Sequence, residues 1–142
     1  MKFKGFILAG ILTAFLSSYI STDNKLQEGS TAPTIERISG EKIEMKDGKE
    51  KLISFWSPKD AESRISNRKF SDLYKESDVE FITICIDSDE SLAREVLKCD
   101  RIASQQQIAY SEVSERVFKD YGVSENPGAF LINGEGKIKR IM

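Results

Sequence analysis

The chain passes from a predicted strand into a predicted helix at Phe55-Trp56-Ser57-Pro58-Lys59-Asp60-Ala61-Glu62-Ser63-Arg64. The residues from Lys51 to Trp56 are mostly apolar and predict an interior strand. Pro58 interrupts that strand, and Asp60 is a favourable N-cap for a helix from about Ala61 to Lys75. The apolar side chains of this helix fall roughly on one face: Ile65, Phe70, Leu73 and Tyr74.

Downstream of this stretch, strand-like and helix-like patterns alternate. Residues 79–86 are nearly all apolar and rich in β-branched side chains, which predicts a central strand buried on both faces. Asp87-Ser88-Asp89 then favours the start of a second helix that ends near Lys98. Its predicted inward stripe contains Leu92, Ala93, Val96 and Leu97. A short extended piece is expected at residues 107–110.

The last third of the chain predicts one more helix and a closing hairpin. Val113, Val117 and Tyr121 are spaced four residues apart, which predicts a helix that Gly122 ends. Residues 129–132 form an apolar strand, and the Asn133-to-Gly136 turn leads into an edge strand at residues 137–141.

The segment before the first interior strand predicts a short N-terminal hairpin. It consists of residues 32–38 and the region around Ile43, with Ser39-Gly40 as the turn. Together the patterns predict an α/β fold in a single domain, residues 31–142, that follows a polar linker at residues 23–30.

Composition excludes several classes of function. The 142 residues are 39% apolar and 31% charged, which is typical of one ordinary globular domain. The net charge of −2, about −4 without Lys2 and Lys4, and the lack of a Lys/Arg cluster argue against a nucleic-acid partner. The chain has no histidine, which excludes histidine-dependent triads and zinc or copper sites built on histidine. We expect neither a metal site nor a cofactor.

The N-terminus has the layout of a secretory signal. Lys2 and Lys4 precede an uncharged run from Gly5 to Ile20, and Ser21 and Thr22 follow. The run is about 16 residues, which is short for a membrane span of roughly 20. We therefore interpret residues 1–22 as a signal peptide, with a retained N-terminal anchor as the alternative. The expected location is the periplasm or cell envelope, with membrane contact only if the segment is retained.

Four separated segments together resemble the thioredoxin-like proteins of the TlpA and ResA type, which are related to the AhpC/TSA proteins. These segments are Glu28 to Pro33, Phe55-Trp56 with the following turn, Val79 to Asp87, and Tyr121 to Pro127 with the closing hairpin. The resemblance implies a three-layer fold around a central mixed sheet. Proteins of this type usually end in a helix after the last strand, and because the sequence stops at Met142 we expect that helix to be absent. The resemblance also implies a cis peptide bond before Pro127.

The chain departs from this family at the turn that normally carries Cys-x-x-Cys. Alignment on Phe55-Trp56 puts Asp60 and Ser63 in the two thiol positions. If Trp56 instead matches the second tryptophan of the family turn, Ser57 and Asp60 take those positions. Neither register supplies a cysteine, and thiol–disulfide exchange requires one.

The residues in the thiol positions have structural and chemical interpretations. A helix N-terminus stabilises negative charge, so the Asp60 carboxylate can cap the helix where an active enzyme would hold a thiolate. The alternative role for Asp60 is a general base. Ser63 as a nucleophile is disfavoured, because no histidine is present to activate it.

The two cysteines lie elsewhere in the sequence. Cys85 falls inside an apolar strand and is interpreted as a core residue. Cys99 follows the second helix, whose rise of about 15 Å would carry it beyond the roughly 7 Å that a disulfide to Cys85 allows. We expect no bond between them, and Cys99 is the candidate reactive thiol.

The function hypotheses follow from these residues. By resemblance, Pro127 lies beside the Asp60 turn in a groove that pairs with extended polypeptide. The candidate peptide-binding residues are Trp56, Lys59, Asp60, Asn126 and Pro127. The favoured hypothesis is a redox-inactive binding or accessory protein of the cell envelope whose partner is an envelope protein or an extended peptide. The alternative is a thiol-disulfide oxidoreductase that acts through Cys99 or a partner's thiols, and a third hypothesis is a stability module without a ligand.

Overall fold

The computed structural model describes residues 25–142. They form one five-stranded mixed sheet with helices on both faces. The strands are β1 (Lys51–Trp56), β2 (Glu80–Cys85), β3 (Gln106–Ile108), β4 (Gly128–Ile132) and β5 (Ile138–Ile141). The helices are α1 (Ala61–Tyr74), α2 (Glu90–Cys99) and α3 (Glu115–Asp120), and a short 3-10 turn spans Tyr110–Glu112.

The strand order in the sheet is β3-β2-β1-β4-β5. β1 and β2 are parallel, as are β2 and β3, while β4 pairs antiparallel with both β1 and β5. The strand expected to be central, β2, is interior, and β1 holds the central position. All six β1 residues are buried, as expected for a strand with a layer on each face.

Two apolar clusters lie between the sheet and the layers that cover its two faces. The first contains β1 residues Ile53 and Phe55, the α3 residues Val117 and Phe118, and Ile35 from the N-terminal segment. The second contains the α2 side chains together with Leu52, Trp56 and Phe81, and the α1 residues Phe70 and Tyr74 pack against it. Helices α1 and α2 therefore cover one face of the sheet, and α3 with the N-terminal segment covers the other.

Most predicted elements are confirmed with small changes at their ends. The N-terminal hairpin is reduced to backbone bonds from Arg37 to Glu41 and from Ile43 to Ile35 around Gly40, without a regular strand. Gly40 has φ +92°, which favours glycine at that turn.

The third helix is shorter than predicted. Val113 is extended and bridges to Arg37, so its regular spacing with Val117 and Tyr121 reflects burial rather than continuous helix. The helix starts only at Glu115, and Gly122 follows it at φ +67°.

The inward face of α1 differs from the predicted one. Its buried residues are Ser63, Asn67 and Ser71, whereas Ile65 and Leu73 are 54% and 67% exposed. Phe70 and Tyr74 are half-buried at the margin of the stripe. The prediction is therefore wrong for Ile65 and Leu73, because the middle of the side of α1 that meets the sheet is polar and the inward apolar side chains lie only at its margin.

The predicted signal peptide or anchor, residues 1–22, lies outside the described residues, as does the start of the linker. Within residues 25–142, no helix is long and apolar enough to cross a membrane.

Candidate functional site

Asp60 forms the N-terminal end of the site by capping α1. Its backbone is extended, with φ −103° and ψ 111°, and its carboxylate Oδ2 accepts a hydrogen bond of 2.8 Å from the Ser63 N–H. This satisfies one of the free N–H groups of the first helical turn. The predicted cap is confirmed, and Asp60 occupies the position where the helix dipole stabilises a negative charge.

The Ser63 hydroxyl is fully engaged in the turn. It is 7% exposed, lies 3.2 Å from the Ser57 carbonyl and 3.1 Å from the Asp60 carbonyl, and accepts a bond of 3.2 Å from the Ser57 N–H. The hydroxyl proton is directed to carbonyl oxygens, and the neighbouring Asp60 carboxylate bonds to the Ser63 backbone N–H instead of the hydroxyl, so no base is positioned to remove that proton. Ser63 therefore holds the turn closed, and the arrangement gives it no nucleophilic role.

A buried polar pair supports α1 from the sheet. The Ser54 Oγ of β1 donates a hydrogen bond of 2.5 Å to the Asn67 Oδ1 of α1, and both residues are at most 2% exposed. Asn67 Nδ2 has no hydrogen-bond partner within the described chain. A buried hydrogen bond requires a narrow range of distances and angles. The Ser54–Asn67 bond therefore fixes the distance of α1 from β1.

A cleft of about 310 Å³ opens between α1 and the start of β4. It brings Asp60 and Ser63 together with Asn126 and Pro127, as predicted by the resemblance. The cleft also contains residues that the sequence analysis did not select: Ser54, Phe55, Glu62, Ser66, Phe70, Gly128, Ala129 and Met142. Glu62, Ser66 and Phe70 are spaced four residues apart, so their common face could have been recognised from the helical period.

The comparison with known proteins starts from this arrangement. Thiol-disulfide oxidoreductase ResA from Bacillus cereus is 30% identical over 141 residues, which covers 93% of this chain and 79% of the relative. The chain belongs to the ResA family of thioredoxin-like thiol-disulfide oxidoreductases. Another ResA, from Bacillus thuringiensis, is 30% identical over 128 residues and is covered over 72% of its length. No protein-family model matches the chain.

Solved structures show the same fold. A thioredoxin-like protein from Parabacteroides distasonis superposes with a TM-score of 0.70 at 28% identity, covering 82% of this chain and 88% of that one. A thiol:disulfide interchange protein DsbE from Chlorobium tepidum superposes with a TM-score of 0.62 at 21% identity, with 82% and 85% coverage. The second likeness shows the fold alone. The predicted thioredoxin-like fold is thus confirmed.

Cys85 of this ResA-family chain is a core residue. It is 2% exposed, and burial raises the pKa of its thiol to about 11. Its sulfur contacts the backbone of Asp87, at 3.3 Å from the carbonyl and 3.4 Å from the N–H. A thiol with that pKa is almost entirely protonated at neutral pH, and the thiolate is the reactive form.

Cys99 is exposed at the end of α2, and both cysteines are free. The absence of a bond between them agrees with the prediction. Cys99 lies in a surface hollow with Arg68, Ser71 and Asp72 of α1. These residues are two to three helical turns from Asp60, or roughly 12–18 Å along the axis. Cys99 is therefore accessible but lies outside the cleft.

The expected cis bond at Pro127 is wrong. No cis peptide bond occurs in the described chain, so the bond from Asn126 to Pro127 is trans. Trans is the lower-energy isomer by about 0.5–1 kcal/mol for a bond to proline, and the likeness of one loop motif does not outweigh that preference. Pro127 still lines the cleft beside Asp60.

Two of the five candidate peptide-binding residues lie away from the cleft. Trp56 is 1% exposed, so its inclusion as a peptide contact is wrong; it packs in the apolar cluster below α1 and α2. Lys59 is exposed and its Nζ lies 3.7 Å from Asp87 Oδ2, outside the lining of the cleft. Within residues 25–142, no three Asp, Glu or Cys side chains are grouped so as to hold a metal ion.

Proposed function

We propose that this chain is an exported ResA-family protein that binds extended polypeptide at the cleft and does not catalyse thiol–disulfide exchange by itself. The observation that carries the proposal is that residues 55–64, which lead into the N-terminus of α1, contain no cysteine. Asp60 caps the helix there and Ser63 closes the turn. The fold of an oxidoreductase is present while the sulfur atoms that perform the exchange are not.

Open backbone groups beside the cleft support polypeptide binding. The N–H and C=O of Asn126 pair with no backbone group of the described residues, and Asn126 is exposed. An extended segment can add to such groups by strand-like hydrogen bonds while its side chains enter the adjoining cleft. This use of the cleft requires no cysteine, which makes it compatible with Asp60 and Ser63.

An insulin-reduction assay with dithiothreitol tests the redox part of the proposal. The protein should reduce insulin no faster than dithiothreitol alone. The double variant Asp60→Cys, Ser63→Cys should gain activity, because it restores two thiols three residues apart at a helix N-terminus that lowers thiol pKa. Single Asp60→Cys is the matched control and should remain inactive in multiple turnovers.

The second candidate function is thiol–disulfide exchange through Cys99 or a partner's thiols, which the exposure of Cys99 favours. Robust insulin reduction by the protein that disappears in Cys99→Ser would establish this candidate and overturn redox inactivity. If activity persists in Cys99→Ser and disappears in Cys85→Ser, the core assignment of Cys85 would also be wrong.

Polypeptide binding is tested separately with immobilised, extended peptides. The protein should bind them, and an Asn126→Pro variant should bind at least about tenfold less, since it removes one backbone donor and restricts the loop. Asn126→Ala, which removes the side chain but keeps the backbone N–H, is the matched control and should bind like the unmodified protein. Equal binding by Asn126→Pro would contradict the role of the Asn126 backbone, and no binding to any peptide would favour the stability-module hypothesis.

Export is proposed from residues 1–22, where Lys2 and Lys4 precede the apolar run. The mass of the mature N-terminus from the envelope fraction would check it. A mass that corresponds to cleavage between Ser18 and Thr22 would support a cleaved signal peptide. A full-length mass in the membrane fraction would support the anchor, and a full-length mass in the cytoplasmic fraction would contradict export.

A further inference from the structure

We propose that the cleft selects polypeptide segments by a basic side chain, a lysine or arginine whose stem lies on the apolar floor and whose charge meets Asp60 and Glu62. This inference rests on the proposed polypeptide binding and adds the chemistry of the occupant. It predicts that charge at one position of the peptide decides affinity, which peptide binding alone does not require.

The charges that line the cleft all have one sign. Asp60 and Glu62 are its charged residues, and no Lys or Arg contributes to the lining. Neither carboxylate forms an ion pair with any residue from 25 to 142. Oδ2 of Asp60 bonds to the Ser63 N–H, which leaves its other oxygen available. An approaching cation therefore meets two carboxylates that no neighbouring residue has neutralised.

The N-terminus of α1 reduces this negative potential without reversing it. The helix dipole is equivalent to about +0.5 of a charge at its first turn, against two full negative charges from Asp60 and Glu62. One N–H of that first turn, from Ser63, is already paired with the Asp60 carboxylate. The electrostatic potential at the mouth of the cleft stays negative, so an acidic peptide segment would be repelled.

The floor of the cleft fits an apolar stem. Half-buried Phe70 and Pro127 and exposed Met142 provide its accessible apolar side chains, whereas Phe55 and Ala129 are buried beneath the surface. A volume of about 310 Å³ is at the small end of the range for ligand pockets, which suits one or two side chains rather than a folded partner. Lysine and arginine have a long aliphatic stem below a charged head, which matches an apolar floor with an acidic rim.

Isothermal titration calorimetry on the full chain tests this with three capped peptides. They are Ac-Ala-Val-Arg-Val-Ala-Ser-NH2 and the same peptide with Gln or Glu in place of Arg. The Arg peptide should bind about tenfold tighter than the Gln peptide and tighter still than the Glu peptide. Raising the salt concentration from about 0.05 M to 0.5 M should reduce the preference, because screening weakens partly exposed charge pairs.

Two charge-neutral variants locate the selectivity. Asp60→Asn keeps an N-cap of similar quality, and Glu62→Gln changes an exposed residue, so both should fold. Each should reduce the preference for Arg over Gln by about threefold without weakening the Gln peptide. Glu76→Gln, an exposed residue beyond the end of α1, is the matched control and should leave the preference unchanged.

The outcomes separate this inference from the proposed function. If all three peptides bind equally, or if both variants keep the full preference for Arg, the basic selectivity is wrong and polypeptide binding stands. If none of the peptides binds at millimolar concentration, polypeptide binding at this cleft is itself wrong, and the inference is wrong with it.

Discussion

Helices α1 and α2 cover the same face of the sheet, but different chemistry stabilises each one. The buried residues of α2 are Ala93, Val96 and Leu97, an apolar stripe at the regular helical spacing. The buried residues of α1 are Ser63, Asn67 and Ser71. Apolar burial positions α2, whereas α1 combines a buried stripe of hydrogen-bonded residues with half-buried Phe70 and Tyr74 at its margin.

Each buried residue of α1 has a specific partner. Ser63 bonds to Ser57 in the turn, Asn67 accepts from Ser54 of β1, and Ser71 Oγ accepts a bond of 2.8 Å from the Ala103 N–H. Apolar contacts tolerate small shifts, whereas hydrogen bonds weaken steeply with misalignment. The position of α1, which lines the cleft, is therefore defined more narrowly than the position of α2.

Truncating the buried apolar face of α2 should give the largest effect. Leu97 is 8% exposed, and Leu97→Ala should lower the free energy of unfolding by about 2–4 kcal/mol through lost transfer energy and the cavity left behind. The measurement is urea unfolding followed by circular dichroism.

The matched control for Leu97 is Ile65→Ala on α1. Ile65 is 54% exposed, so this change should stay within about 0.5 kcal/mol. Equal losses in the two variants would contradict the comparison, because they would mean that α1 also depends on its apolar side chains.

The buried pair of α1 should give the next largest effect. Ser54→Ala should cost about 1–3 kcal/mol, because it leaves the Asn67 side chain buried without its partner. Adding Asn67→Leu should recover most of that loss, since replacing both polar partners by apolar groups is often nearly neutral.

A double-mutant cycle of Ser54→Ala and Asn67→Leu, measured by the same unfolding assay, checks this. Strong coupling between the two changes would support the pair as the support of α1. Simple additivity would show that Ser54 and Asn67 act on stability independently, and the directional account of α1 would then be wrong.

The same contrast explains what the sequence could predict. For α2, period, cap and burial agree, so the helix and its inward stripe were both predicted. For α1, the bounds, the Asp60 cap and the inward packing of Phe70 and Tyr74 were predicted, but Ile65 and Leu73 face solvent and the buried polar stripe was missed. Polar residues at four-residue spacing are usually solvent-exposed, and only the position of Ser54 on the neighbouring strand makes Asn67 a buried residue.

The site was predictable only in part for a related reason. Asp60, Ser63, Asn126 and Pro127 were selected by their place in a family motif, and the structure brings them into one cleft. Glu62 lies between the two thiol positions and could have been found from the helical period, whereas Met142 enters the cleft only through tertiary packing. Trp56 was selected by motif but is buried, because the side chains of α2 cover it on its own face of β1 and the motif does not reveal that cover.

The two helix caps should have similar effects on stability and different effects on binding. Asp60 and Asp89 each accept a hydrogen bond from the first turn of their helix, at 2.8 Å and 3.1 Å. Asp60→Ala and Asp89→Ala should each cost about 0.5–2 kcal/mol in thermal unfolding. Asp60→Ala alone should weaken the Arg peptide, because Asp89 lies outside the cleft. Equal weakening by both variants would show that binding follows helix stability rather than the Asp60 charge.

The smallest expected effect concerns the ion pair that joins the two helices. Arg64 of α1 donates two hydrogen bonds, of 3.0 Å and 2.9 Å, to the Asp100 carboxylate at the end of α2. These bonds lower the pKa of Asp100 below its ordinary value of 3.8, with burial opposing them. The carboxylate therefore stabilises the fold above the unfolded-state pKa, and this contribution is lost as the pH falls through the lower folded-state value.

Asp100→Asn should accordingly cost about 0.5–1 kcal/mol near pH 7, a modest amount because the Arg64 side chain is 38% exposed to solvent. The difference from the unmodified protein should shrink as the pH is lowered from about 5 to 2, measured by urea unfolding at each pH. Glu95→Gln, an exposed change on α2, should stay within about 0.5 kcal/mol throughout. A difference for Asp100→Asn that is constant across this range would mean that its cost comes from packing. The charge of Asp100 would then not contribute to the contact between α1 and α2, and hydrogen bonds would position α1 only through its buried stripe.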